Sequence, residues 1–218
     1  MPMEITTTIP YIPDPSNLQL EPLIGFVLGV LFAVLLNAEG QAFLATTLGD
    51  QRVGATDRHH FNAFLHLDIL GSIAFLVGGF GWARHLDINP ARFAHPRLYL
   101  IIARLGGPLA NLLFAGIMAS AIHLVMTLMQ LSPHIFLGVV VVNVTMAVYH
   151  LIPIPPLALG NIWVELLPPS QAQLKIWLAR LGPYVLLAIL FYDRIYQVGI
   201  FSRHLDPLVR ALYAFITG

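Results

Sequence analysis

Residues 31–50 read LFAVLLNAEGQAFLATTLGD. The stretch is an apolar run interrupted by Asn37, Glu39, Gly40 and Gln41 and closed by Leu48-Gly49-Asp50, where glycine followed by a polar residue ends a helix. Polar and ionisable groups are costly in lipid, so by default they mark a functional position. An α-helix turns about 100° per residue, which puts Asn37 and Gln41 on one face and Glu39 about 200° from Asn37. The face carrying residues 37 and 41 is where a metal site would be expected. Neither residue is an ordinary metal ligand.

Outward from that stretch, the chain has the composition of a membrane protein. Of its 218 residues 57% are hydrophobic and 10% charged, against about 25% charged in soluble domains, and its mean hydropathy is +0.77. Several apolar runs approach or exceed the roughly 20 residues that cross a bilayer core. Eleven basic and eleven acidic residues balance, and no basic patch points to nucleic acid. The chain has no cysteine, which excludes disulfides, thiolate metal sites and thiol nucleophiles. No serine lies in a G-x-S-x-G nucleophile motif. The N-terminus, MPMEITTTIPYIPDPSNLQLEP, lacks the basic region and short apolar core of a signal peptide and reads as a Pro-rich arm.

These features predict an all-α polytopic bundle of about five to six transmembrane segments. Three units follow: an extramembrane arm over 1–21, a membrane domain over 22–192, and an amphipathic interfacial tail over 193–218. Within the domain the expected apolar segments are 22–47, 63–82, 98–130, 135–152 and 172–192, with a short piece at 160–168. The segment 98–130 is either one long helix or one broken near Gly106-Gly107-Pro108. Residues 50–62 are expected to form a short hairpin or interfacial loop. Pro153-Ile154-Pro155-Pro156 ends the fourth segment, because prolines cannot continue a helix, and predicts a re-entrant turn. The arm has no Lys or Arg and the next loop carries Arg52 and Arg58, so the positive-inside rule puts the N-terminus outside. The basic loop 83–97 shares a side with that first loop only if 63–82 does not fully span.

Four stretches, in order, carry a family resemblance. The first is Asn37-Ala38-Glu39-Gly40-Gln41-Ala42 followed by Ala45 and Leu48-Gly49-Asp50, against H-E-x-x-H-A and A-x-x-L-G-D. The second is residues 62–71, NAFLHLDILG, against N-P-L-x-H-I-D-P-L-G. The third is Phe80-Gly81-Trp82-Ala83-Arg84, Asn89-Pro90, Pro96-Arg97 and Gly107-Pro108-Leu109-Ala110-Asn111, against F-G-W-A-x-P-V-x-x-N-P and A-G-P-x-x-N. The fourth is residues 150–159, HLIPIPPLAL, against N-L-L-P-I-P-P-L-D-G. Over residues 25–170 the chain resembles the site-2 protease family of intramembrane zinc metalloproteases, in its small bacterial branch. The resemblance implies a helical membrane fold. It also implies a zinc site held by two His one turn apart and an Asp, with a Glu as general base. Here those four positions hold Asn37, Gln41, Ala158 and Ala38. Carboxamides are poor zinc ligands and alanine is none, and no base remains to take a proton from a metal-bound water.

The expectation is therefore a catalytically inactive member with no metal, no cofactor and no catalytic residue. It would serve as a structural, accessory or assembly subunit of a larger membrane complex, respiratory or photosynthetic for instance, in the bacterial cytoplasmic membrane. Its partners would be membrane protein subunits or a transmembrane helix, and the lipid bilayer. Glu39, His66, Asp68, Asn111 and His150 are the candidate partner or cleft contacts. Three readings of Glu39 stand open: protonated, paired with another helix of the chain, or facing another subunit. His66 and Asp68 also read as a hydrogen-bonded pair that anchors a hairpin or helix start. Asn111 and Asn143 read as interhelical hydrogen-bonding amides, Arg84, Arg92, Arg97 and Arg104 as headgroup anchors, and His59 and His60 as solvated or interfacial. His123 is expected to be satisfied by a neighbouring helix. Two alternatives remain, a metalloprotease with a rebuilt site on His66, His150 and Glu39 or Asp68, and a small-solute or ion transporter.

Overall fold

The computed structural model describes residues 10–14, 16, 19–52, 59–124, 126 and 133–218. Residues 53–58, where the expected hairpin would turn, lie outside the described residues, as do most of the arm, the end of the 98–130 segment and the side chain of His123. Among the described residues eight α-helices carry the fold: α1 (Leu20–Thr47), α2 (Ala63–His66), α3 (Ile69–Gly78), α4 (Pro96–Leu124), α5 (His134–Tyr149), α6 (Ala158–Leu166), α7 (Ala172–Tyr196) and α8 (Ser202–Thr217). The architecture is a helical membrane bundle. Among the described residues, three helical stretches are long and apolar enough to cross a membrane: Leu20–Thr47, Pro96–Ile122 and Pro169–Tyr196. The apolar helices α3 and α5 are shorter.

The Val-rich α5 is the axis of the bundle. Every residue from Val139 to Tyr149 is buried, as expected of a helix that is apolar all round, and α1, α4 and α8 pack on it. The main core joins Val140, Val144 and Val148 of α5 to Ala115 and Ile122 of α4, Leu186 and Leu190 of α7, and Val209 and Tyr213 of α8. α1 and α4 cross closely where glycines face each other. A Cβ on Gly40 would stand 2.5 Å from the Gly106 carbonyl oxygen, and one on Gly107 would stand 2.7 Å from the Asn37 carbonyl oxygen. α4 runs unbroken through Gly106-Gly107-Pro108, which selects the single long helix.

The segment 63–82 does not span. It breaks at Leu67-Asp68 into α2 and α3, and the ten residues of α3 cover only about 15 Å, half a hydrocarbon core. Asp68 causes the restart: its Oδ1 accepts from the Gly71 amide at 2.8 Å and from the Trp82 indole at 3.0 Å. This is the helix-anchoring reading of Asp68. Gly79, at φ 74, closes α3 in the left-handed conformation. The chain then returns as an extended stretch, in which Ala83 pairs with Leu67 in an antiparallel bridge and the Arg84 amide donates to the His66 carbonyl at 2.7 Å. Asp68→Ala removes a cap and orphans a buried indole, so we expect a loss of about 2 kcal/mol, read as a lowered unfolding midpoint. Asp68→Asn, which keeps an acceptor, should recover most of it.

The two basic loops meet. Arg52 bonds to Asp50 and to Asp87, and the Asn89 amide donates to Asp50 Oδ2 at 3.0 Å. The loops after α1 and before α4 therefore lie at the same end of the bundle. At the other end, α1 and α5 touch where a Cβ on Gly25 would meet Ile135.

Residues 10–12 and the C-terminal helix α8 pack on the bundle. Tyr11 packs on Phe26 with ring centroids 5.6 Å apart, and Pro10 to Ile12 lie against Gly79. α8 buries Val209 and Tyr213 in the core, and the Tyr149 hydroxyl donates to Asp206. Burial pushes the Asp206 carboxyl above its ordinary range, opposed by that hydrogen bond and by Arg210.

Candidate functional site

Asn37 and Gln41, one turn apart on α1, face α4, and a chain of side-chain hydrogen bonds runs through them. Arg104 Nη1 donates to Gln41 Oε1 at 3.0 Å. Gln41 Nε2 donates to Asn37 Oδ1 at 2.8 Å, and Asn37 Nδ2 donates to Asn111 Oδ1 at 3.0 Å. Asn111 Nδ2 donates to Asn143 Oδ1 at 3.0 Å and to the Ala33 carbonyl at 2.9 Å. Asn143 Nδ2 ends the chain on the Val139 carbonyl. All five side chains are buried. The chain thus joins α4, α1, α4 again and α5, with one direction of donation throughout, and Asn111 and Asn143 form the expected interhelical bond.

The remaining degenerate positions carry no polar group. Ala38 packs in an apolar cluster with Val34, Phe75, Val142 and Met146. Ala158 opens α6 and is buried. The Pro-rich turn before it is pinned by side-chain donors: Asn161 Nδ2 bonds to the Pro156 carbonyl at 2.8 Å and Trp163 Nε1 to the Pro153 carbonyl at 2.9 Å. Its Pro155–Pro156 bond is cis.

Glu39 points away from the amide chain, as the helical rotation requires, and pairs within the chain. Its Oε2 lies 2.8 Å from His59 Nδ1. Its Oε1 accepts the amides of His60 at 2.9 Å and Phe61 at 3.1 Å, and lies 3.2 Å from His66 Nε2. Phe61 takes a positive φ of 42°, so its backbone is strained at the point where it reaches the carboxylate. Glu39 fastens residues 59–66 to α1. His59, expected as solvated or interfacial, is drawn in by this carboxylate.

The candidate contacts therefore separate. His66 and Glu39 come together, whereas Asp68 caps α3 and His150 lies buried with Nε2 3.3 Å from the Gly81 carbonyl. Among the described residues, His150 Nδ1 has no hydrogen-bond partner. Asn111 is fully buried and its amide is engaged inside the chain. Among the described residues, no three His, Asp or Glu side chains are arranged to hold a metal ion.

One expectation is corrected. Arg104 is no headgroup anchor: it is 1% exposed. Its Nε and Nη2 bond to both oxygens of Glu165 on α6, and its Nη1 also donates to the Leu86 carbonyl at 3.0 Å. The pair needs Glu165, a residue to which the sequence reading gave no part. The available signal was the helical period, since residue 104 lies two turns before Asn111 on the same face of α4.

The donor set tests the metal that the resemblance implies. Asn37 and Gln41 offer carboxamides already bonded to one another and to Asn111 and Arg104, and Ala158 offers no donor. These residues do not fit zinc, which takes imidazole, carboxylate or thiolate ligands.

Comparison with known proteins supports the broad relationship to a protease-like family. The chain is 29% identical over 204 residues to a protein of Bacillus subtilis (strain 168) named "Putative zinc metalloprotease YwhC", and the match covers 84% of this chain and 93% of YwhC. No protein-family model matches the chain, and no solved structure does. The chain is a helical protein of membrane type, similar over most of its length to a protein named as a zinc metalloprotease.

Proposed function

We propose that this protein is a non-catalytic relative of the intramembrane zinc metalloproteases, a scaffold that holds a membrane segment of a partner without cutting it. The observation that carries the reading is the closed amide chain at positions 37 and 41, together with alanine at positions 38 and 158. The polar atoms that would face a metal are satisfied by one another, and no side chain stands where a general base would act. A cavity of about 460 Å³ opens near the start of α6, lined by Asp68, Trp82, His85, Pro156, Asn161 and Arg180 among others. A cavity of that size falls in the range that accommodates side chains or a short segment of a ligand. The setting we assign is a bacterial cytoplasmic membrane, as an accessory subunit of a larger complex.

The test is gentle detergent extraction from the native membrane, followed by native sizing, protein identification and metal analysis of the same peak. We expect a large peak with stoichiometric partner subunits and zinc far below one per chain. A small peak with one zinc per chain, and cleavage of a membrane-helix substrate by that fraction, would refute the reading.

A further inference from the structure

Arg104 is a cation inside the bundle, and it is held as tightly as a ligand. A guanidinium has five N–H donors in a fixed planar fork. Four of them are engaged: two on the paired oxygens of Glu165, one on Gln41 Oε1 and one on the Leu86 carbonyl. The four bonds tie α4 to α6, to α1 and to the connection before α4. The elements it joins include the two that carry the degenerate ligand positions, α1 with Asn37 and Gln41, and α6 with Ala158. Its Nη1 lies 3.0 Å from the side chain of Gln41, one of the two α1 positions that the resemblance makes metal ligands. A charge buried this deeply is stable only when paired and hydrogen-bonded, and the bidentate fork to a carboxylate is the geometry arginine supplies and lysine does not.

We propose that Arg104 is the internal cation of this fold: with Glu165 it cross-links α1, α4 and α6 as a bound metal would, and its guanidinium, seated on the Gln41 side chain, keeps a divalent ion from positions 37 and 41. The proposal rests on the reading of positions 37, 41 and 158 as a lost metal site. It goes further because it assigns the absence of a metal site to a resident guanidinium as well as to missing donors. Restoring the donors alone should then fail to restore a metal site.

The experiment uses the full chain in detergent. Donors are restored by Asn37→His, Gln41→His and Ala158→Asp together, once with the ion pair intact and once with Arg104→Met and Glu165→Met added. Thermal unfolding is followed with and without zinc. Zinc is expected to raise the midpoint by about 5 °C or more in the chain lacking the pair, and to leave it unchanged where the pair remains. An equal rise in both chains overturns the proposal, and so does no rise in the chain without the pair. If the restored chains do not fold, Arg104→Lys in the original chain decides. It keeps the charge and loses the fork, so a midpoint lower by about 5 °C is expected, and one unchanged from the original overturns the proposal. The scaffold reading fails separately, on a solitary, partnerless peak that cleaves a substrate, a result that leaves the zinc comparison standing.

Discussion

Asn111→Leu will lower stability by about 4 kcal/mol, since two buried groups lose their partner at once and each orphan costs roughly 1–3 kcal/mol. Asn37 Nδ2 loses its acceptor and Asn143 Oδ1 its donor, while the Ala33 carbonyl, inside the α1 ladder, loses only a second bond. Neither orphan can turn to water, because residues 37, 111 and 143 are all at or below 1% exposed. Single interhelical hydrogen bonds in lipid average about 0.6 kcal/mol, because chains unfolded in the membrane find other partners. The larger figure expected here comes from the orphans left behind. For a chain of this size it corresponds to a midpoint lower by roughly 10 °C, measured by thermal unfolding in detergent. A companion variant changes Asn37, Asn111 and Asn143 to leucine together. It removes most of the orphans as well as the bonds and should lose less than the three single losses added. A fall of only a degree or two in Asn111→Leu would show that the amide chain does not hold the helices.

Gly40→Leu will prevent the bundle from closing. Even a methyl group at Gly40 would lie 2.5 Å from the Gly106 carbonyl oxygen and 2.8 Å from the Ala110 Cβ. Both atoms are fixed by the α4 backbone, so no rotamer change relieves the contact and α1 must move off α4. That movement also stretches the bonds from Asn37 to Asn111 and from Gln41 to Arg104. Overpacking costs about 1–3 kcal/mol where side chains give way. Here the backbone is the obstacle, and we expect no monodisperse folded protein on size exclusion after extraction. Gly40→Ala should be recovered with reduced stability. Gly116→Leu is the control: a Cβ there meets nothing within 4 Å, and the variant should behave as the original chain. Normal recovery of Gly40→Leu would show that the helices are not held at this crossing.

Local periodicity accounts for what could be read before the structure. One helical turn places Asn37 beside Gln41 and sends Glu39 to the other side, and the structure keeps both relations. Asp68 reads as a cap because a short acceptor stands before an apolar run, and the prolines after Ile152 end α5 where proline must. The misreading of Arg104 has a different cause. An arginine in an apolar segment looks the same whether it reaches a headgroup or a buried carboxylate, and the partner of Arg104 is 61 residues away. The apolar stripe of α8 is equally suited to lipid and to protein, and in the fold it buries Val209 and Tyr213. Glu39 is held by two backbone amides and two imidazoles, and amides leave no mark in a sequence.

The one-way donation through Arg104, Gln41, Asn37, Asn111 and Asn143 also bears on how the chain tolerates change. Histidine in place of Gln41 alone takes an acceptor from Arg104 and can strip Asn37 of its donor, so that single step is less stable than the closed chain of amides. A change at Asn37 unseats Asn111 in the same way. Mutual satisfaction therefore works as a ratchet: single substitutions that fit the closed chain are tolerated, and those that open it cost stability at every step.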